Sequence, residues 1–313
     1  MKRFIALLLL LAWTLSACGS MNETAITETA VTFVDDLGRT VTVDSPRRVA
    51  ALLGSFAQIW MLAGGEVIAT ADDAWDDLQL ELPEDAVNLG GTKSLSLEML
   101  LASNPDFIIA STNTRQNVEW RDTLEAIGIP VAYFDVGDFE DYLRILKICT
   151  DITGRADLYE QYGLYVQEQI ETVVAESQAR IARSGAPTVL CMVASASNIH
   201  VKNSENNVPG EILHSLGCVN IADSEDSLLE NLSLEYILQA DPEYIFIVQR
   251  GDDTAGMMEK INRELEQNPL WSQLSAVRNG RVYIMEKNLY NLKPNNRWGE
   301  AYEELEAILS NEK

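Results

Sequence analysis

The feature that most limits what this chain can fold into is a stretch that it contains twice. Residues 96–109 read SLEMLLASNPDFII and residues 233–246 read SLEYILQADPEYIF, identical at six of fourteen positions. Each copy is one unit: a capping serine (Ser96, Ser233), a short amphipathic helix, a turn at Asn-Pro or Asp-Pro, and an apolar run of buried-strand type. Helix followed by strand is the repeating step of a parallel α/β sheet. The copies lie 137 residues apart, a spacing that suits two similar lobes and not a short solenoid repeat.

A chain of 313 residues holds two domains of ordinary size. Its formal charge of −25 is extreme, and removing residues 1–17 takes away Lys2 and Arg3, leaving 21 bases against 48 acids, or −27. Such a surface repels phosphate backbones, so nucleic acid is excluded as a partner. The amino terminus reads as an address. Met1-Lys2-Arg3 is a positive start, Phe4 to Trp13 is an apolar run of ten, and small residues follow. Ten helical residues rise about 15 Å, half a bilayer core, so this is a signal and not a span. Its end, Leu15-Ser16-Ala17-Cys18, resembles the lipobox of bacterial lipoproteins, which implies that Cys18 is lipidated and becomes the first mature residue.

Residues 18–31 lack apolar periodicity and read as a flexible tether. Residues 32–155 alternate strand and helix patterns after an edge hairpin at Asp36-Leu37-Gly38-Arg39, giving an amino-terminal α/β lobe. From 156 to 183 apolar residues recur at three- and four-residue steps, with a gap at Ser177, a rigid helix about 40 Å long that ends at Ser184-Gly185-Ala186-Pro187. Residues 184–313 repeat the first lobe in outline. The fold expected is therefore α/β, with two lobes joined by one long helix.

The signatures of common enzymes are missing. Gly90-Gly91-Thr92-Lys93-Ser94 only imitates a phosphate-binding loop, no G-x-S-x-G elbow occurs, and both histidines, His200 and His214, fall in the second lobe. His214 sits in a helical stretch and reads as structural; His200 is a candidate axial ligand. Cys149, Cys191 and Cys218 have no Cys-x-x-Cys spacing and read as buried free thiols, with a Cys191–Cys218 disulfide as the alternative in an exported chain.

Taken in order, Asp36-Leu37-Gly38-Arg39, Pro46-Arg47-Arg48-Val49, the two Ser-Leu-Glu repeats, the long helix and Leu216-Gly217-Cys218-Val219-Asn220 resemble the helical-backbone substrate-binding lipoproteins. These serve ABC importers of ferric siderophores, haem and vitamin B12, and the resemblance covers roughly residues 32–310. It implies two Rossmann-like lobes, an interlobe ligand cleft, and a monomer anchored outside the cell that delivers a metal chelate to a permease and its ATPase without catalysis. It also implies that Glu98 and Glu235, matched in the repeats, dock on the permease from the outer rim of each lobe. The simpler reading is that each carboxylate suits the positive end of its helix.

The cleft should be lined by loops at the carboxyl ends of the strands. That nominates Ser55, Phe56, Trp75, Arg115, Arg250, Lys287, Tyr290, Arg297 and Trp298, aromatics and cations that suit a chelate bearing carboxylates or catecholates. Tyr290, His200, Met257 and Met258 are available as axial ligands if the chelate is haem. A naked metal is disfavoured, because the first lobe has no histidine, and no cofactor is expected beyond the chelate itself. Two rival readings are an exported hydrolase using carboxylates such as Asp72 and Asp73, and a structural surface lipoprotein.

Overall fold

The computed structural model of the chain describes residues 30–310. The signal segment, Cys18 and most of the tether lie outside the described residues. Twelve strands are formed among them: β1 (Ala30–Val34), β2 (Thr40–Asp44), β3 (Val49–Ala51), β4 (Val67–Thr70), β5 (Val87–Asn88), β6 (Phe107–Ser111), β7 (Val131–Phe134), β8 (Thr188–Ala194), β9 (Ile199–Lys202), β10 (Val219–Asn220), β11 (Tyr244–Gln249) and β12 (Val282–Met285). Ala30 and Val31, expected in the tether, already pair with Asp44 and Val43 across the β1–β2 hairpin. The hairpin turn is bolted to the first lobe by Asp35, which is buried and accepts from the backbone N–H groups of Leu37, Arg39 and Tyr133.

The first lobe is a parallel sheet in the order β5-β4-β3-β6-β7, and the second runs β10-β8-β11-β12, with β9 antiparallel on β8. The two orders correspond, and the repeat supplies the strand beside the opening strand in each: β6 beside β3, β11 beside β8. Both repeat strands are apolar without alternation because helices cover both faces of a parallel sheet; every residue of β6 and the first five of β11 are buried. The turn before each strand is also shared. Asn104 and Asp241 adopt positive φ (51° and 43°) ahead of their prolines, a conformation that short polar side chains tolerate and that proline discourages from continuing as helix.

The helical connection runs from Ala156 to Ser184. It is one helix broken by a wide π-type turn at Glu160–Leu164, between Ala156–Tyr159 and Tyr165–Ser184. At that turn Gly163 lies so close to the helix Phe139–Thr153 that a Cβ there would approach Leu143 Cδ1 to 2.7 Å. The break in the apolar pattern at Ser177 has a polar explanation. Ser177 is fully buried, donates to the Leu216 carbonyl (2.7 Å) and accepts from Arg180, which forms a two-pronged ion pair with Glu306 of the last helix, Trp298–Ser310.

One apolar cluster extends through both lobes, from Val41 and Phe134 by way of Val166 and Val173 on the long helix to Phe246, Trp298 and Leu305. The outer face of each sheet carries a smaller cluster of its own. Cys149, Cys191 and Cys218 are all buried and free, and burial pushes each thiol up to about 12. The disulfide alternative is therefore not formed.

Candidate ligand cleft between the lobes

In an open parallel sheet, ligands bind beyond the carboxyl ends of the strands where the strand order reverses. In the first lobe that point lies between β3 and β6. A cavity of about 520 Å³ opens there, lined by Leu53 after β3, Asn113 to Gln116 after β6, Thr92, Lys93 and Glu119, within the size range of small-molecule pockets. The loop after β3 turns straight into the helix Gly54–Leu62. Only glycine fits at 54, since a Cβ would lie 2.6 Å from the Ala74 nitrogen, and its N–H donates to Asp73 Oδ1 (2.9 Å).

The equivalent point of the second lobe lies between β8 and β11, whose following loops hold Ser195 to Asn198 and Arg250 to Asp253. The first of these loops packs on the helix Thr254–Ile261 that follows the second, because a Cβ on Gly256 would meet Ala196 Cβ at 2.8 Å. The segment after β12 then crosses to the first lobe. Lys287 forms ion pairs with Asp77 of the first lobe and Asp252 of the second, and Asn288 donates to the Asp77 carbonyl (2.9 Å). Further along, Asn295 donates to the Ser55 carbonyl (2.9 Å) and to Gln58 Oε1 (2.7 Å).

The structure sorts the residues nominated from sequence. Trp75 is half-buried in the one-turn helix Asp73–Asp76, Arg250 is exposed, and Arg115 lines the cavity with 92% of its side chain exposed, paired to Glu119. Trp298 and Tyr290 are not cleft residues. Trp298 is fully buried edge-on to Phe139, and Tyr290 donates its hydroxyl to the Ala301 carbonyl and Glu304. Both belong to the packing of the last helix, where apolar area is removed from water on every side. Phe56 is 1% exposed and packs its ring against Phe134; Ser55 is buried beside it and offers only its carbonyl. Arg297 is engaged by Glu300. Met257 is fully buried, whereas His200 and His214 are exposed.

Sequence reasoning passed over Lys293, in the crossing segment. It is half-buried, its ammonium lies 5.9 Å from the centre of the Phe56 ring, and it makes no hydrogen bond or ion pair among the described residues. Burial lowers its pKa, partly offset by the carboxylates of Asp135, Asp141 and Asp73. Asp73 itself is pushed up to about 6, by burial first and by its neighbours Asp77 and Asp72, against the Gly54 hydrogen bond. No sequence motif marks Asn291-Leu292-Lys293-Pro294; its meaning comes from the crossing alone.

Glu98 and Glu235 are both exposed, in the first turn of helices whose capping serines accept from the N–H groups of Met99 (3.2 Å) and Tyr236 (3.3 Å). A helix that precedes a parallel strand runs antiparallel to the sheet, so its amino end opens at the sheet's carboxyl edge. The two glutamates therefore share the edge that carries the cleft.

Two parallel α/β lobes with facing switch points, spanned by a helix and closed by a polar seam, are the architecture of a two-lobed ligand receptor. The chain belongs to the periplasmic binding protein family, whose model matches residues 49–289. Similar relatives include the Fe(3+)-citrate-binding protein YfmC of Bacillus subtilis, 25% identical over 82% of this chain and 78% of that protein, and the putative ABC transporter substrate-binding lipoprotein YhfQ of the same organism, 25% identical over 94% and 93%. Among solved structures, Staphylococcus aureus SirA complexed with staphyloferrin B superposes with a TM-score of 0.72 at 19% identity, covering 89% of this chain and 98% of that one. These relatives are binding proteins, not enzymes.

Proposed function

We propose that this protein is an extracytoplasmic receptor that captures a ferric chelate and hands it to an ABC permease. The observation that carries the reading is the cavity at the first lobe's switch point, facing a second lobe of the same topology, in a chain of the periplasmic binding protein family. Relatives named for ferric citrate and ferric hydroxamate support iron as the cargo. Among the described residues no group of three or more His, Cys, Asp or Glu could hold a metal ion, which fits a chelate that brings its own inner ligands. The rival hydrolase reading gains nothing from these relatives, and Asp73 is engaged by the Gly54 N–H.

The test is a fluorescence titration of the mature chain against ferric citrate, a ferric hydroxamate, a ferric catecholate, haem and cobalamin, with half-buried Trp75 as a reporter. One ferric class should bind with submicromolar affinity, about −8 kcal/mol or better. Tight binding of free manganese or zinc, with none of the chelates bound, would overturn the reading.

A membrane anchor through Cys18 belongs to the same proposal. No helix among the described residues is long and apolar enough to cross a membrane, and YhfQ is named a lipoprotein. Two or more lipid chains hold a protein firmly where one is marginal. Cells expressing the full chain should hold it in the membrane fraction and release it on Cys18→Ala; mass spectrometry of an unmodified mature chain would count against the anchor.

A further inference from the structure

Lys293 stands apart from the other cations near the cleft. Arg115 is paired with Glu119, Lys287 with Asp77 and Asp252, and Arg297 with Glu300. Lys93 and Arg250 are exposed, where water satisfies a cation at little cost. Lys293 has neither a partner nor full solvent. It reaches from the second lobe's crossing segment over the carboxyl edge of the first sheet, where its ammonium faces the ring of Phe56 and lies in the field of the carboxylates of Asp73 after β4, Asp135 after β7 and Asp141 on the helix Phe139–Thr153.

Those carboxylates are held by other donors. Asp73 accepts from Gly54 N–H (2.9 Å), Asp135 from Asn113 Nδ2 (2.5 Å), and Asp141 from Gly137 N–H (3.0 Å) and Arg144 (3.2 Å). None closes to ion-pair distance on Lys293, so the three N–H donors of its ammonium have no protein acceptor among the described residues. The acids around it oppose the lowering of its pKa by burial, and an anionic ligand oxygen would oppose it further. A half-buried ammonium with no hydrogen-bond partner costs stability that an apolar side chain of the same length would not, and the contact with the Phe56 ring offsets only part of that cost. Asn113, which lines the 520 Å³ cavity, also holds Asp135, so one of the carboxylates that act on Lys293 is fixed by the wall of the space a ligand would fill.

We propose that Lys293 is the recognition cation of the cleft, donating from the seam between the lobes to an anionic oxygen of the bound ferric chelate. This rests on the chelate reading above and adds its charge: the ligand presents a carboxylate, catecholate or propionate oxygen toward the first lobe's β3–β7 edge. The compact ammonium suits a single oxygen, where a guanidinium would select a planar two-oxygen face.

The experiment compares wild type with Lys293→Met and Lys293→Gln. Ferric citrate, a ferric triscatecholate and haemin are the anionic probes, and ferrioxamine B is the cationic one. Wild type should bind one anionic probe, and Lys293→Met should lose at least thirtyfold in affinity for it. The same variant without ligand should melt at or above the wild-type temperature, which a merely structural lysine would not allow; Lys293→Gln should lose less affinity because its amide can still donate. Equal affinity of wild type and Lys293→Met for the anionic probe overturns this inference and leaves the chelate reading standing, as does binding of ferrioxamine B alone. If wild type binds no iron complex, both readings fall together.

Discussion

A buried carboxylate whose protonated form is favoured by the fold weakens that fold once it ionises, and Asp73 is such a group. Its folded pKa of about 6 lies above the ordinary 3.8, so between those values the native state holds more protons than the unfolded chain, and stability falls as pH rises through the window. Asp73→Asn should therefore stabilise the protein at pH 7.5 by on the order of 2 kcal/mol and lose that gain as pH approaches 4. Thermal melts at both values check this, and an equal gain at both would rule it out. Single residues are also where sequence reading was weakest. Arg250 and Trp75 could be nominated from loop position, but Tyr290 and Trp298, nominated on the same ground, turn inward. Whether an aromatic at the start of a helix faces a cleft or a core depends on the helix opposite, which for Trp298 is the distant Phe139–Thr153. Lys293 was illegible for the same reason, since Phe56, Asp73 and Asp135, which surround it, come from three separate segments of the first lobe.

Elements were far more legible. Strands β7, β8 and β12 fall on the residues that their apolar runs mark out, and the long helix follows from its periodicity. What periodicity could not show was the wide turn at Glu160–Leu164, set by contact with the helix Phe139–Thr153, or the short strands β5 and β10, whose two residues carry too little pattern. The repeat is the element on which the proposed delivery can be tested. Helix-dipole chemistry explains a glutamate in either first turn at about 0.3–1 kcal/mol, but not its recurrence at matched positions on one edge of the molecule. Replacing Glu98 and Glu235 together by alanine should leave chelate affinity within about twofold and abolish uptake by cells, with rising salt imitating the defect in vitro. Normal uptake by a folded double variant would return both residues to the helix dipole.

At the scale of the molecule, the lobes are tied at two places, the long helix behind the cleft and the polar seam at its mouth. Lys287 is the seam's charged link, so Lys287→Met should raise amide hydrogen exchange in residues 73–80 several-fold while the interior of the β8–β11 pair stays protected; unchanged exchange there would mean that the ion pairs with Asp77 and Asp252 hold nothing in place. The continuous core has a different consequence, one of timing. The residues that complete it, Asn295 against Ser55 and Trp298 against Phe139, follow their partners late in the chain, Asn295 by 240 residues. A chain emerging amino end first can assemble the sheet of its first lobe early, but the face of that lobe turned toward the long helix stays uncovered until the carboxyl-terminal helix arrives. For a protein that works outside the cell, this keeps the newborn chain incomplete, and open to whatever escorts it, until the helix Trp298–Ser310 has emerged.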